Sequence, residues 1–169
     1  METKNDSCRL CGAVTILKQS HVVPKFVFDW MKGGERGIRD LGQPNLGLQD
    51  GPKLRLFCEL CEGRMSVWEK SAAECIFSPL HQEAQTSFEY QSWLLKFAVS
   101  VSLRALLFHR EQIEQITNND KNLRPILREA MDSWARFLLE KKSVLGPYEH
   151  HCIILPTVLG NSPAEKEFN

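Results

Sequence analysis

Apolar positions in the first 80 residues come in short runs separated by turn-forming residues, a pattern typical of short strands. One run has helical spacing and predicts a helix over Lys25–Lys32, which Gly33 ends. A strand is predicted over Lys53–Phe57, and a helix runs from about Glu62 to Ile76 and ends before Pro79. Further short strands are predicted at Ile38–Leu41 and Leu46–Gln49.

Beyond Ser87, apolar residues recur three and four positions apart over long stretches, which predicts helices. The helix over Tyr90–Arg110 is apolar on most sides, so we expect it to be central. A short helix is predicted over Glu111–Thr117, a long one over Leu123–Lys142, and a strand over Cys152–Leu155. We expect the main core to be formed by Trp93, Leu94, Phe97, Val101, Leu106, Trp134 and Phe137.

The two halves of this pattern predict an α+β, mostly helical fold. Residues 1–80 form a small module of strands and helices, and residues 81–169 form a helical part. Since 169 residues suffice for one domain with a real core, we expect the helical part to pack on the module as one compact unit.

Charge and hydropathy narrow the possible functions. Lys+Arg and Asp+Glu both number 21, so the net charge is zero and nucleic-acid binding would need a local basic patch. The most apolar stretch, Trp93 to Phe108, contains Lys96 and Arg104 and is too short to cross a bilayer. The first residues are polar and lack the apolar core of a signal peptide. We therefore expect a cytoplasmic protein with reduced thiols and no membrane partner.

Four of the six cysteines form two C-x-x-C pairs, Cys8 with Cys11 and Cys58 with Cys61. Four thiolates close a tetrahedral site, so the pairs predict a structural Zn²⁺ that joins two distant segments of the chain. Cys75 and Cys152 are left over, and we interpret both as small buried apolar residues.

The segments around these pairs are Cys8-x-x-Cys11-Gly12, Ser20-His21-Val22-Val23-Pro24 and Leu56-Phe57-Cys58-x-x-Cys61. They resemble the zinc-bound branch of the HNH, or His-Me finger, nucleases, which have a treble-clef or ββα-metal core. Together with Gln49-Asp50-Gly51, Trp68-Glu69 and Gly146 to His151, they also resemble a group of uncharacterised bacterial HNH-like proteins.

The resemblance implies a metal-dependent endonuclease that hydrolyses phosphodiesters of DNA or RNA. His21 would be the general base, and Glu62 would hold a catalytic Mg²⁺ or Mn²⁺ separate from the zinc. The chain departs from the family at Ser20, where Asp or His is common, and at Glu62, where Asn or His is usual. The family's Asn before the second knuckle has no clear counterpart. Basic residues flank the zinc segment and could receive phosphate: Arg36, Arg39, Lys53, Arg55 and Arg64.

Two other functions fit the same residues. The chain can be a non-catalytic zinc module that binds a protein partner or DNA, with the helical part as the interface; the departures at Ser20 and Glu62 favour this. It can also be a structural or immunity-type protein in which zinc only stabilises the fold. Glu69 lies two helical turns from Glu62, about 10 Å of rise, so we interpret it as a partner of Arg64 or Lys70, or as a surface charge, rather than as a ligand of the same ion. At most one of His150 and His151 is expected to join a site.

Overall fold

The computed structural model describes residues 5–32, 47, 50–119 and 122–153, without the side chains of residues 111 and 116–119. The strand predicted at Ile38–Leu41 lies outside the described residues, as does the one at Leu46–Gln49 apart from Gly47. The same holds for Arg36 and Arg39.

Four short strands form two antiparallel pairs. Strand β1 (Asn5–Ser7) pairs with β2 (Val14–Ile16), and β3 (Lys18–His21) pairs with β4 (Lys53–Phe57). The predicted strand over Lys53–Phe57 is confirmed. Each C-x-x-C motif therefore adjoins a small two-stranded ribbon. Such a ribbon needs other elements for its stability.

The β3–β4 pair has an inner and an outer face. His21 lies opposite Lys53 and Gln19 opposite Arg55, whereas Ser20 lies opposite Leu54. Paired residues point to the same face, and successive residues alternate. His21, Lys53 and Arg55 therefore share the outer face, and Ser20, which has no exposed surface, belongs to the inner face.

Helix α1 spans Lys25–Lys32, as predicted, and begins directly after Pro24. Helix α2 spans Glu59–Ala72 and continues through a π-helical turn, Ala73–Phe77, into helix α3, Ser78–Glu83. The predicted end before Pro79 is wrong. Pro79 stands in the first turn of α3, directly after the π-helical turn, and the helical backbone continues through it. Ala84, with a left-handed φ of 52°, ends this helix.

The helical part consists of α4 (Ser92–Phe108), α5 (Arg110–Asn119) and α6 (Leu123–Leu138). Helix α4 packs against α2 on one side and α6 on the other, which confirms its central position. Cys152 and Ile153 are not in a strand; the rest of that predicted strand lies outside the described residues. No described helix is long and apolar enough to cross a membrane.

One apolar core contains residues from both predicted parts of this mixed α and β protein. Its most buried members are Cys8, Phe57, Met65, Val99, Leu103 and Leu138. Five α4 residues expected in the core are only partly buried: Trp93, Leu94, Phe97, Val101 and Leu106. The inward face of α4 instead carries Val99, Ser100, Leu103 and Arg104. A helix that is apolar on most sides does not indicate by its pattern which side faces inward.

The two unpaired cysteines also differ from expectation. Cys75 and Cys152 are both exposed rather than buried. Cys75 lies in the π-helical turn, where the wider coil changes which positions face the core, and Cys152 follows the last described helix without joining an element.

Candidate metal centre and the polar cluster beside it

The two C-x-x-C motifs stand on different local structures. The first forms the turn between β1 and β2: the Gly12 N–H donates to the Cys8 carbonyl at 2.9 Å, and the Cys8 N–H donates to Ala13 at 2.9 Å. Gly12 has a φ of +80°, a conformation that residues with a Cβ rarely adopt. In the second motif, Cys58 is the N-cap residue of α2 and Cys61 lies in the helix's first turn.

These elements bring four sulfur atoms together. The Sγ atoms of Cys8, Cys11, Cys58 and Cys61 all lie within 4.8 Å of one another, and those of Cys11 and Cys58 are 3.7 Å apart. A tetrahedral ion with metal–sulfur bonds of about 2.3 Å separates its sulfur ligands by about 3.8 Å, which matches this contact. The cluster can therefore hold a metal ion without rearrangement of the backbone.

The local electrostatics favour a cation at the four thiols. Burial raises the pKa of the Cys8 thiol, but backbone hydrogen bonds around Cys11 and Cys58 outweigh it and bring the pKa down to about 7. One of these bonds is the Cys58 N–H to Cys8 Sγ contact of 3.3 Å. Burial and the neighbouring thiols hold the pKa of Cys61 well above its ordinary value. Four thiolates so close together, three of them on buried cysteines, need a bound cation to offset their mutual repulsion.

Glu62 follows the last cysteine and points to the inner face of the β3–β4 pair. The Ser20 hydroxyl donates to Glu62 Oε2 at 2.6 Å, a short bond typical of a charged acceptor. Burial raises the pKa of Glu62, and the bond from Ser20 and the charge of Arg104 offset only part of that effect. Glu62 thus binds the buried end of β3 rather than facing open solvent.

Arg104 of α4 supplies a buried positive charge next to this carboxylate. Its side chain is 1% exposed, and its Nη1 lies 2.5 Å from Glu69 Oε1. The Glu69 oxygen lacks hydrogen-bond alignment, so the contact is an ion pair without a directed N–H···O bond. Nη1 also donates to the His21 carbonyl at 2.8 Å, and Nε donates to the Ser100 carbonyl at 3.2 Å. Arg104 therefore joins α2, α4 and β3 through one guanidinium.

The His21 side chain points away from this network, to the outer face. Its Nε2 lies 2.9 Å from Asp50 Oδ1, and the imidazole is 20% exposed. Because a carboxylate only accepts, Nε2 is the donor, and Nδ1 is the basic nitrogen of the neutral ring. The Lys53 ammonium, 2.5 Å from the other Asp50 oxygen, and the His21 bond hold the pKa of Asp50 well below its usual range.

The structure brings some predicted site residues together and separates others. It gathers the four cysteines, and it places Glu62 against Ser20, but His21 and Glu62 form contacts on opposite faces of the β3–β4 pair. Arg55 is exposed on the face of His21 and donates to the Leu17 carbonyl at 2.9 Å, while Arg64 is exposed on α2. Glu69 pairs with Arg104, and neither Arg64 nor Lys70 is its partner in the described residues.

Two residues of the cluster, Asp50 and Arg104, are not among the predicted site residues. Asp50 belongs to the segment Gln49-Asp50-Gly51 that resembles HNH-like proteins, and a carboxylate in the same motif set as a histidine is a usable signal. Arg104 was noted only as an interruption of an apolar stretch. A single arginine on an otherwise apolar helix needs a buried partner, and that requirement was the available signal.

Comparison of the chain with models of protein families, with curated proteins and with solved structures gave no match.

Proposed function

We propose that this chain is a zinc-stabilised, non-catalytic binding module. The observation that carries the proposal is the separation of the two groups on which a nuclease would depend. Glu62 is bonded to Ser20 on the inner face of the β3–β4 pair, whereas His21 is bonded to Asp50 on the outer face. A base and a metal ligand that act on one phosphodiester must face the same space.

Zinc is the metal proposed for the four cysteines. Four thiolates in tetrahedral arrangement suit Zn²⁺, and a site closed by four protein ligands has no position left for a substrate. One knuckle in a hairpin turn and the other at a helix N-terminus support a treble-clef-like module. Zinc would fasten the β1–β2 pair to α2, two segments that otherwise share few contacts, and so contribute directly to folding.

The buried guanidinium argues against a second divalent ion at Glu62. Arg104 lies against Glu69 and stabilises the charge of Glu62, so the positive charge that the nuclease family takes from Mg²⁺ is supplied by a side chain. Apart from the four cysteines, no group of three acidic, histidine or cysteine ligands gathers among the described residues. A dication close to Arg104 would meet charge repulsion in a poorly solvated place. These features support a non-catalytic role, for which we propose binding through the helical part.

The test measures stability and cutting on the same variants. If Glu62 belongs to a structural network, Glu62→Ala leaves the Ser20 hydroxyl buried without its acceptor and should lower the free energy of unfolding by about 1–3 kcal/mol. Glu59→Ala, one turn earlier on α2 and exposed, serves as the matched control and should change it by less than about 1 kcal/mol. Neither the wild type nor any variant should nick plasmid DNA with Mg²⁺ or Mn²⁺. Nicking lost in Glu62→Ala at unchanged stability would refute the proposal.

A second candidate is the metal-dependent nuclease, and the outer face favours it. There the His21 imidazole is partly exposed, is oriented by Asp50 and lies beside Lys53 and Arg55, which can bind phosphate. A carboxylate that orients a histidine is a common feature of general bases. If plasmid DNA or a single-stranded RNA is cut with Mg²⁺, and His21→Ala stops cutting while metal content and fold persist, this candidate replaces the first.

A further inference from the structure

A groove of about 190 Å³ lies between the end of α4, helix α5 and the beginning of α6, and we refer to it as the α5–α6 groove. Of the described residues that line it, none belongs to the four-cysteine cluster or to the polar cluster around Arg104. The groove is smaller than the roughly 300–1,000 Å³ of pockets that enclose small organic molecules, so it suits a few side chains of a docked segment. It lies in the helical part, to which we assign binding.

The floor of the α5–α6 groove is aliphatic. Partly buried side chains from all three helices form it: Leu106, Leu107, Ile113, Leu127 and Met131. Each leaves apolar surface in contact with water, and removal of such surface by a partner contributes about 25 cal/mol per Å². The flexible Met131 side chain adapts to partners of different shape. The floor therefore favours a ligand that carries aliphatic side chains.

The rim of the α5–α6 groove carries an excess of positive charge, although the whole chain has a net charge of zero. Arg110, Arg124 and Arg128 line it and are exposed, and Glu114 is the acidic member of the described lining. Arg110 Nε lies 3.1 Å from Glu114 Oε1, so these two charges offset each other. The excess therefore comes from the two arginines of α6.

Arg124 and Arg128 present their charges on one face of α6. They stand four residues apart, about 6 Å along the helix axis. Neither forms an ion pair within the described part of the chain, and the carboxylate of Asp132, one turn further along, pairs with Arg136. A guanidinium group binds a carboxylate through two parallel N–H···O bonds. Two carboxylates one turn apart on a partner helix would have the matching spacing.

We propose that the α5–α6 groove docks an acidic amphipathic helix of a partner protein. Its aliphatic side chains would lie on the floor of the groove, and its carboxylates would pair with Arg124 and Arg128. The proposal rests on the binding function proposed above and names the chemistry of the partner. A nucleic-acid backbone would leave the aliphatic floor in water, and an uncharged apolar helix would leave the two arginines unpaired. A segment with both features complements the whole groove.

The probe that tests this is a fluorescein-labelled synthetic peptide of about 18 residues, long enough to form a helix. It carries Leu three and four positions apart on one face and Glu beside them. Fluorescence anisotropy with the metal-loaded protein should show saturable binding of about one peptide per chain. A scrambled peptide without an apolar face, and a peptide with Lys in place of Glu, should each bind at least about tenfold more weakly. Equal affinity for either control peptide, or no saturable binding below about 1 mM, overturns the proposal.

Two charge-matched double variants assign the binding to this groove. Arg124→Glu with Arg128→Glu reverses both rim charges and should weaken the acidic peptide at least about tenfold. Lys141→Glu with Lys142→Glu changes the net charge by the same amount at exposed positions that do not line the groove, and should change the affinity less than about twofold. Equal losses in the two double variants would show non-specific attraction and overturn the site.

A measurement on the wild type locates the peptide without any substitution. In methyl NMR spectra, peptide addition should shift the methyl signals of the five aliphatic floor residues, whereas those of Val14 and Leu60, exposed on the N-terminal part, should not move. Shifts elsewhere with none at the floor overturn the site, even where a double variant fails to fold. Displacement of the peptide by a single-stranded oligonucleotide would assign the groove to nucleic acid and overturn the proposal.

Peptide binding and DNA cutting are separate readouts. No peptide binding together with no nicking overturns this partner and leaves the zinc-stabilised, non-catalytic module in place. Nicking of plasmid DNA with Mg²⁺ refutes the non-catalytic module, whatever the peptide does.

Discussion

At the level of one residue, Arg104 shows why we assign a structural role to this polar cluster. The guanidinium is 1% exposed and contacts Glu69, the His21 carbonyl and Ser100. Burial of a charge costs desolvation free energy. Only the partners of the charge offset that cost, so their loss destabilises the fold. The residue therefore fixes the position of the strand that carries His21 relative to two helices.

Replacement of Arg104 should be strongly destabilising. Arg104→Ala leaves the Glu69 carboxylate and a backbone carbonyl without their partner and should lower the free energy of unfolding by about 3–5 kcal/mol. Arg136→Ala is the matched control, since Arg136 pairs with Asp132 on the exposed surface of α6 and should contribute less than about 1 kcal/mol. Urea unfolding of both variants measures the difference. A loss in Arg104→Ala no larger than in the control would contradict the structural role.

Gly51 holds the loop of Asp50 close to α1. A Cβ at this position would lie 2.1 Å from Cε2 of Phe28, which is buried. Gly51→Ala should therefore cost about 1–3 kcal/mol. Gly63, exposed within α2, has no atom within 4 Å of such a Cβ, so Gly63→Ala should instead stabilise the chain by up to about 1 kcal/mol. Thermal unfolding should show shifts of opposite sign, and shifts of equal sign would contradict the packing of Gly51 on Phe28.

His150 should make stability depend on pH. Its folded-state pKa is lowered by burial, so the unfolded chain binds the proton more readily. The contribution of the neutral ring is complete above the unfolded pKa of about 6.5 and is lost as pH falls through the lower folded value. The free energy of unfolding of the wild type should fall more between pH 7.5 and 6 than that of His150→Phe. Parallel pH profiles would show that His150 is not buried as described.

At the level of elements, one helix and one strand of the N-terminal part were predictable with their bounds, and packing was not. Helix Lys25–Lys32 and strand Lys53–Phe57 follow from periodicity and neighbouring breakers. The continuation of α2 past Pro79 does not follow from the same pattern, because hydrophobic spacing does not indicate a π-helical turn. The inward face of α4 was not predictable for a similar reason. Its buried side includes Ser100 and Arg104, and Arg104 finds its partners only when β3 and α2 are in place.

The same limits apply to the candidate site. C-x-x-C spacing alone predicts the metal cluster, since each short motif identifies one pair of ligands and two pairs complete a tetrahedral site. The partners of Ser20, His21 and Glu69 depend on contacts between distant segments, which hydrophobic periodicity does not specify.

The proposed metal site lies at the N-terminus of helix α2, so we expect the helix to depend on it. Cys58→Ser removes one of four ligands and should release the metal and lower the free energy of unfolding by several kcal/mol. Cys75→Ser, an exposed cysteine outside the cluster, should retain about one metal ion per chain and near wild-type stability. Elemental analysis together with chemical unfolding distinguishes the two variants. A Cys58→Ser protein that remains fully loaded and equally stable would exclude the four-cysteine site.

At the level of the whole molecule, the N-terminal part and the helices share one core and a buried ion pair. A metal at the four cysteines would close the N-terminal end, and Arg104 joins that end to the helices. A nuclease would need the inner carboxylates for a second divalent ion, whereas a binding module uses them to hold Arg104. These two assignments predict different metal stoichiometries.

The most direct measurement is a Mn²⁺ titration of the zinc-loaded protein followed by electron paramagnetic resonance, with Glu62→Gln as the comparison. We predict no Mn²⁺ site tighter than about 1 mM, and the same curve for both proteins, because the carboxylates of Glu62 and Glu69 are occupied by Ser20 and Arg104. One Mn²⁺ bound per chain at micromolar concentration, and lost in Glu62→Gln, would contradict the non-catalytic role and assign the inner face to a catalytic ion.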